Sequence, residues 1–200
     1  MAFAVPDGLA PELYPLAWLL GTWRGPGFLA YPGIPERPFV HEVVFDHDGG
    51  PYLTYRSTMW LLDEESAVPD PQRPASEVRY VPGAVWAAES GFWRVVPAAP
   101  GAAPGPAGGG VRTELEVLLA EPSGHVSVYL GAAHGPRVEI ATDLVARTAT
   151  AADISAVSRM YGLVGGELMW ATDLAAFGHE LQPYASARLA RADQAPDGPP

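Results

Sequence analysis

Apolar and polar residues alternate along most of this chain in short blocks, the period of a strand with one face buried and the other in water. Residues 39–45 form one such block, 46–51 with its Asp-Gly-Gly is a turn, and 52–62 returns as the hairpin partner. The pattern resumes over 85–96, 113–120, 125–131, 137–144, 153–164, 167–176 and 181–190, with polar or glycine turns between. Helical spacing occurs once, where Leu13, Leu16, Ala17, Leu19 and Leu20 follow Pro11 and predict a short N-terminal helix over 11–20. Residues 31–38 hold three prolines and are expected to form an irregular loop. About ten short strands at regular spacing specify an all-β sandwich or barrel in one domain spanning 1–200.

Between the helix and the first alternating block lies Gly21-Thr22-Trp23-Arg24-Gly25-Pro26-Gly27. Glycines at alternate positions give one strand face no side chains, as required where a strand bends or another backbone comes close. The indole of Trp23, flanked by Gly21 and Gly25, can lie across the end of a barrel and plug it. This favours an antiparallel up-and-down barrel of the lipocalin or calycin kind, with the helix over one mouth. In such a barrel Arg191, at the end of the last strand, is placed to stack on Trp23. Phe45, Tyr55, Trp93, Tyr129 and Trp170 are expected to line the lumen.

Composition changes the picture in three ways. Residues 97–110 consist only of Pro, Ala and Gly, and 63–82 is acidic and rich in Pro; both are expected to be flexible loops, and 192–200 a disordered tail. The formal net charge of -11, with basic residues scattered, disfavours nucleic acid and anionic membrane surfaces. The chain has no Cys, and we expect a cytoplasmic protein without disulfides, secretory signal or apolar run long enough to span a membrane. The histidines lack zinc-site spacing, and His41 and Glu42 face opposite ways on one strand.

The Gly-x-Trp-x-Gly-x-Gly run after a short helix resembles the nitrobindin family. The resemblance continues through Tyr31-Pro32, Glu42-Val43-Val44-Phe45, residues 51–55, Glu89-Ser90-Gly91-Phe92-Trp93-Arg94, Arg159-Met160-Tyr161, Gly166-Glu167-Leu168 and Leu181-Gln182, most of the chain. It implies a fatty-acid-binding-protein-like barrel holding a ferric haem b on an axial His, open to nitric oxide, and able to isomerise peroxynitrite to nitrate. The family's C-terminal pattern, a Leu-Gln pair, one residue and then the His, falls here on Leu181-Gln182-Pro183-Tyr184, so Tyr184 stands at the axial position. Two further positions that contact haem in relatives fall on Ala152 and Gly33.

A phenol with a reference pKa near 10 must lose its proton to ligate iron well, unlike neutral imidazole. Arg188, four residues on, would share a face with Tyr184 in a regular strand and could hold that charge. His179, at an odd offset in a turn, is a weaker substitute ligand. The expectation is therefore a nitrobindin-like barrel that does not use haem in the family's way, has no catalytic residue, and holds a small apolar ligand or none. A Tyr-ligated haem enzyme and a fatty-acid-binding-type carrier stay open as alternatives, as does pairing into a homodimer.

Overall fold

The computed structural model describes residues 7–62, 74–77, 81–97 and 112–192; most of the expected loops at 63–82 and 97–110, and of the tail at 192–200, falls outside them. Ten strands close into one antiparallel barrel in which each strand pairs with its neighbour in sequence and the last pairs with the first. They are β1 (Gly21–Tyr31), β2 (Ile34–Asp46), β3 (Leu53–Leu62), β4 (Pro82–Val95) and β5 (Arg112–Glu121), then β6 (His125–His134), β7 (Arg137–Arg147), β8 (Ile154–Val164), β9 (Glu167–Ala176) and β10 (Gln182–Arg191). Among the described residues no helix is long and apolar enough to cross a membrane.

The predicted helix is a 3₁₀ helix, Pro11–Leu19, which buries Leu13, Leu16 and Leu19 completely. The Trp23 indole N–H donates to the Leu19 carbonyl at 2.7 Å, tying the helix to the start of β1. Arg191 lies over the Trp23 ring at 4.2 Å, and its guanidinium donates to the carbonyls of Leu20 (2.7 Å) and Trp18 (3.2 Å). One cation thus satisfies two carbonyls that the helix leaves open and stacks on the indole that plugs this end. Phe45, Tyr55, Trp93, Tyr129 and Trp170 are all buried, as the alternation predicts.

One expectation is overturned. Residues 34–38 are not an irregular loop: β2 begins at Ile34 and pairs with β1 through Arg37 and Pro38. The prolines are tolerated because β3 joins β2 only from Phe39 onward, and no other described strand pairs with the segment on that side.

The glycines of the motif are needed for close approach. A Cβ on Gly27 would run into the Phe39 ring and the Ser186 carbonyl of β10, and one on Gly25 into the Arg188 carbonyl. Gly27→Ala should therefore cost about 1–3 kcal/mol in urea unfolding, as overpacking does. At Gly162 the nearest atom to an added Cβ is 3.9 Å away, and Gly162→Ala should stay within about 0.5 kcal/mol of the parent.

Candidate functional site

Toward the end of the barrel opposite Trp23, the inward positions of several strands stop being apolar. Glu89 of β4 is in phase with Trp93, Arg159 of β8 with Tyr161, His41 of β2 with Val43 and Phe45, and Ser57 of β3 with Tyr55, so strand alternation turns all four inward. Arg159 donates to both carboxylate oxygens of Glu89, Nη1 to Oε2 at 2.7 Å and Nη2 to Oε1 at 2.5 Å. The two strands are not neighbours in the barrel, so this bidentate pair spans the lumen. The Arg159 side chain is 10% exposed and that of Glu89 13%. The guanidinium also sits 5.1 Å from the centre of the Tyr129 ring, and the Tyr55 hydroxyl is 3.4 Å from Glu89 Oε2.

Burial alone would raise the Glu89 carboxyl, and the adjacent guanidinium more than offsets it, holding Glu89 below its ordinary value. Desolvation opposes the charge on Arg159, and Glu89 again outweighs it. Burial pushes the Tyr129 phenol up to about 12. His41 lies beside the pair with its Nε2 2.6 Å from Ser57 Oγ and its ring edge-on to Trp170 at 5.0 Å. Burial lowers it to about 3, with Glu89 pulling the other way. The imidazole is therefore neutral at pH 7, with one ring nitrogen carrying a proton and the other bare.

These groups border a cavity of about 130 Å³, whose lining includes Met59, Val157, Leu174, Trp170 and Thr172. Tyr184 reaches the same cavity. Its hydroxyl accepts a 2.7 Å hydrogen bond from the Trp86 indole of β4, and its ring meets Tyr31 edge-on at 6.0 Å. Burial raises its phenol above the ordinary value, opposed by the Trp86 hydrogen bond.

Arg188 does not share a face with Tyr184. The β10–β9 register shifts between Pro183 and Ala185, so Tyr184 and Ala185 both reach the cavity and the alternation beyond them inverts. Arg188 instead pairs with Glu167 of β9, whose other carboxylate oxygen accepts from the Ala75 amide. His179 lies in the exposed turn after β9, edge-on to Tyr31 at 5.9 Å, and is not among the residues that line the cavity. Gly33 occupies the β1–β2 turn with φ 83°, a conformation that calls for glycine. Ala152 is exposed in the β7–β8 turn, and its carbonyl lies 2.9 Å from His125 Nε2. Neither Gly33 nor Ala152 lines the cavity.

The residues that sequence reasoning left out are Glu89, Arg159, His41 and Ser57. Their signal was a polar residue in phase with aromatic ones, four times over, on strands whose inner faces were already assigned. Because the pair is buried, Glu89→Gln should cost about 3–5 kcal/mol by stranding the Arg159 charge, whereas the double variant Glu89→Leu/Arg159→Met should cost less than either single change. Urea unfolding of the parent, of Glu89→Gln, Glu89→Leu and Arg159→Met, and of the double variant checks this. Acid should destabilise the parent: unfolded His41 takes up a proton below its reference value of 6.5 while folded His41 does not until about pH 3. A His41→Gln variant should lose less stability over that interval.

Comparison with known proteins places this geometry in a family. Residues 12–191 match the model of the THAP4-like, heme-binding beta-barrel domain. The chain is 61% identical to a ferric nitrobindin-like protein of Beutenbergia cavernae, over 96% of this chain and 99% of that protein. It is 40% identical to a protein of Leifsonia xyli subsp. xyli named peroxynitrite isomerase, over 94% and 98%. The crystal structure of Rv2717c from M. tuberculosis aligns with a TM-score of 0.68 at 30% identity, covering 92% of this chain and 98% of that one.

Proposed function

The chain belongs to the nitrobindin family of haem-binding β-barrels, and from that membership we propose that it is a member without the family's haem, whose lumen takes a small apolar ligand instead. The observation that carries this is Tyr184. By the family's pattern it stands where the axial His would be, and its hydroxyl is already engaged by the Trp86 indole N–H at 2.7 Å. Burial makes the tyrosinate needed for iron harder to form. Arg188, which could have held that charge, is turned to Glu167.

The imidazole that borders the cavity is His41, whose Nε2 is taken up by Ser57. Space points the same way. Sites for drug-sized ligands run to about 300–1,000 Å³, and haem is larger than most such ligands, yet the cavity measures about 130 Å³. The described residues do not fit a haem. The relatives named peroxynitrite isomerase make haem-dependent isomerisation the reading that this proposal displaces.

The test is a visible-absorption titration of the purified protein with ferric haem. The expected result is a spectrum indistinguishable from free haem at every ratio. A shifted Soret band that saturates at one haem per chain would overturn the proposal.

A further inference from the structure

Resting on that reading, we propose that the lumen cavity binds one small neutral molecule, a single ring bearing one hydroxyl, with the hydroxyl held by His41 and the ring packed among Trp170, Met59, Val157 and Leu174. Size sets the first limit. A dry cavity of about 150 Å³ holds a benzene, and this one is about 130 Å³. One ring fits, and a fatty-acyl chain does not.

Polarity sets the second. His41 Nδ1, Arg159 Nε and Trp170 Nε1 are buried and have no hydrogen-bond partner among the described residues. All three residues border the cavity, and they are 4%, 9% and 7% exposed. An unmet buried polar atom is costly, so a guest that satisfies one of them gains affinity. Nδ1 is a donor or an acceptor according to which way the proton lies in the His41–Ser57 hydrogen bond. A hydroxyl both donates and accepts, and therefore suits either tautomer.

Charge sets the third. Arg159 and Glu89 neutralise one another, His41 is neutral, and among the described residues the remaining acidic or basic group bordering the cavity is Glu121, whose carboxyl is raised by burial. None of these residues offers a carboxylate guest a spare cation. An ammonium would have to shed its water to meet Glu121 or to compete with Arg159 for Glu89. Water itself is the competing occupant: the cavity has room for roughly four molecules at ~30 Å³ each. Met59, Ile154, Val157 and Leu174 offer such a cluster no hydrogen-bond partners, and a ring packs against them.

Phenol is the probe, with toluene, benzoate and benzylamine as comparisons, in a calorimetric titration of the full chain at pH 7. Phenol should saturate at one per chain, with toluene at least tenfold weaker and neither charged ring binding. Ala185→Leu, which fills the cavity from β10, should abolish phenol binding. His41→Leu should weaken it at least tenfold and erase the preference for phenol over toluene, with near-UV circular dichroism confirming that each variant is folded. Failure of phenol to saturate, equal binding of toluene or benzoate, or phenol binding unchanged by Ala185→Leu would each overturn the proposal. The last would place the phenol in the outer apolar groove lined by Phe28, Met160 and Met169. These results stand apart from the haem titration: a protein that ignores both haem and phenol refutes only the ligand class, whereas one that takes up haem refutes the reading beneath it.

Discussion

The bidentate pair of Glu89 and Arg159 is the constraint around which the interior is arranged. Two full charges taken out of water are tolerated only when each meets the other with good geometry and their remaining hydrogen-bonding capacity finds partners nearby. Here Tyr55 approaches the carboxylate and Tyr129 lies against the guanidinium, while Arg159 Nε has no partner among the described residues. The pair also joins β4 to β8 across the barrel, where no backbone ladder connects them. What remains of the lumen is the small space beside it, bordered by a neutral imidazole.

The two ends of the barrel are finished by different chemistry. At one end Trp23, Arg191 and the 3₁₀ helix form a plug in which Arg191 both stacks on the indole and donates to two carbonyls. Toward the other, aromatic side chains carry polar tips: Tyr31 hydrogen-bonds the backbone of β9, and Trp86 bonds Tyr184. The second arrangement ties β4 to β10 through the Tyr184 phenol, the residue on which the proposed function rests.

Much of this was legible in the sequence. Strand alternation and the glycine motif follow from local spacing, because in a barrel each strand reports its own inner face, and the Trp23–Arg191 stacking follows from the likeness to lipocalin-type barrels. Three features were not legible, each for a physical reason. The start of β2 was hidden by prolines that are tolerated where β3 does not pair with it. The bulge at Pro183/Ala185 was invisible because alternation counted from Tyr184 assumes an unbroken ladder, and one inserted residue sends Arg188 to the opposite face. The ion pair was missed because its members lie 70 residues apart and each looked like a single polar exception on an apolar face.

Burial in the lumen leaves the Glu89–Arg159 pair charged and the neighbouring imidazole neutral. His41 reports on this directly. A ¹⁵N NMR titration of its ring nitrogens from pH 8 to pH 4 should show one neutral tautomer throughout, with no midpoint in that interval, in keeping with a value near 3. A midpoint near the reference value of 6.5, with the two nitrogens shifting together, would mean that water reaches the lumen and would contradict the closed polar site described here.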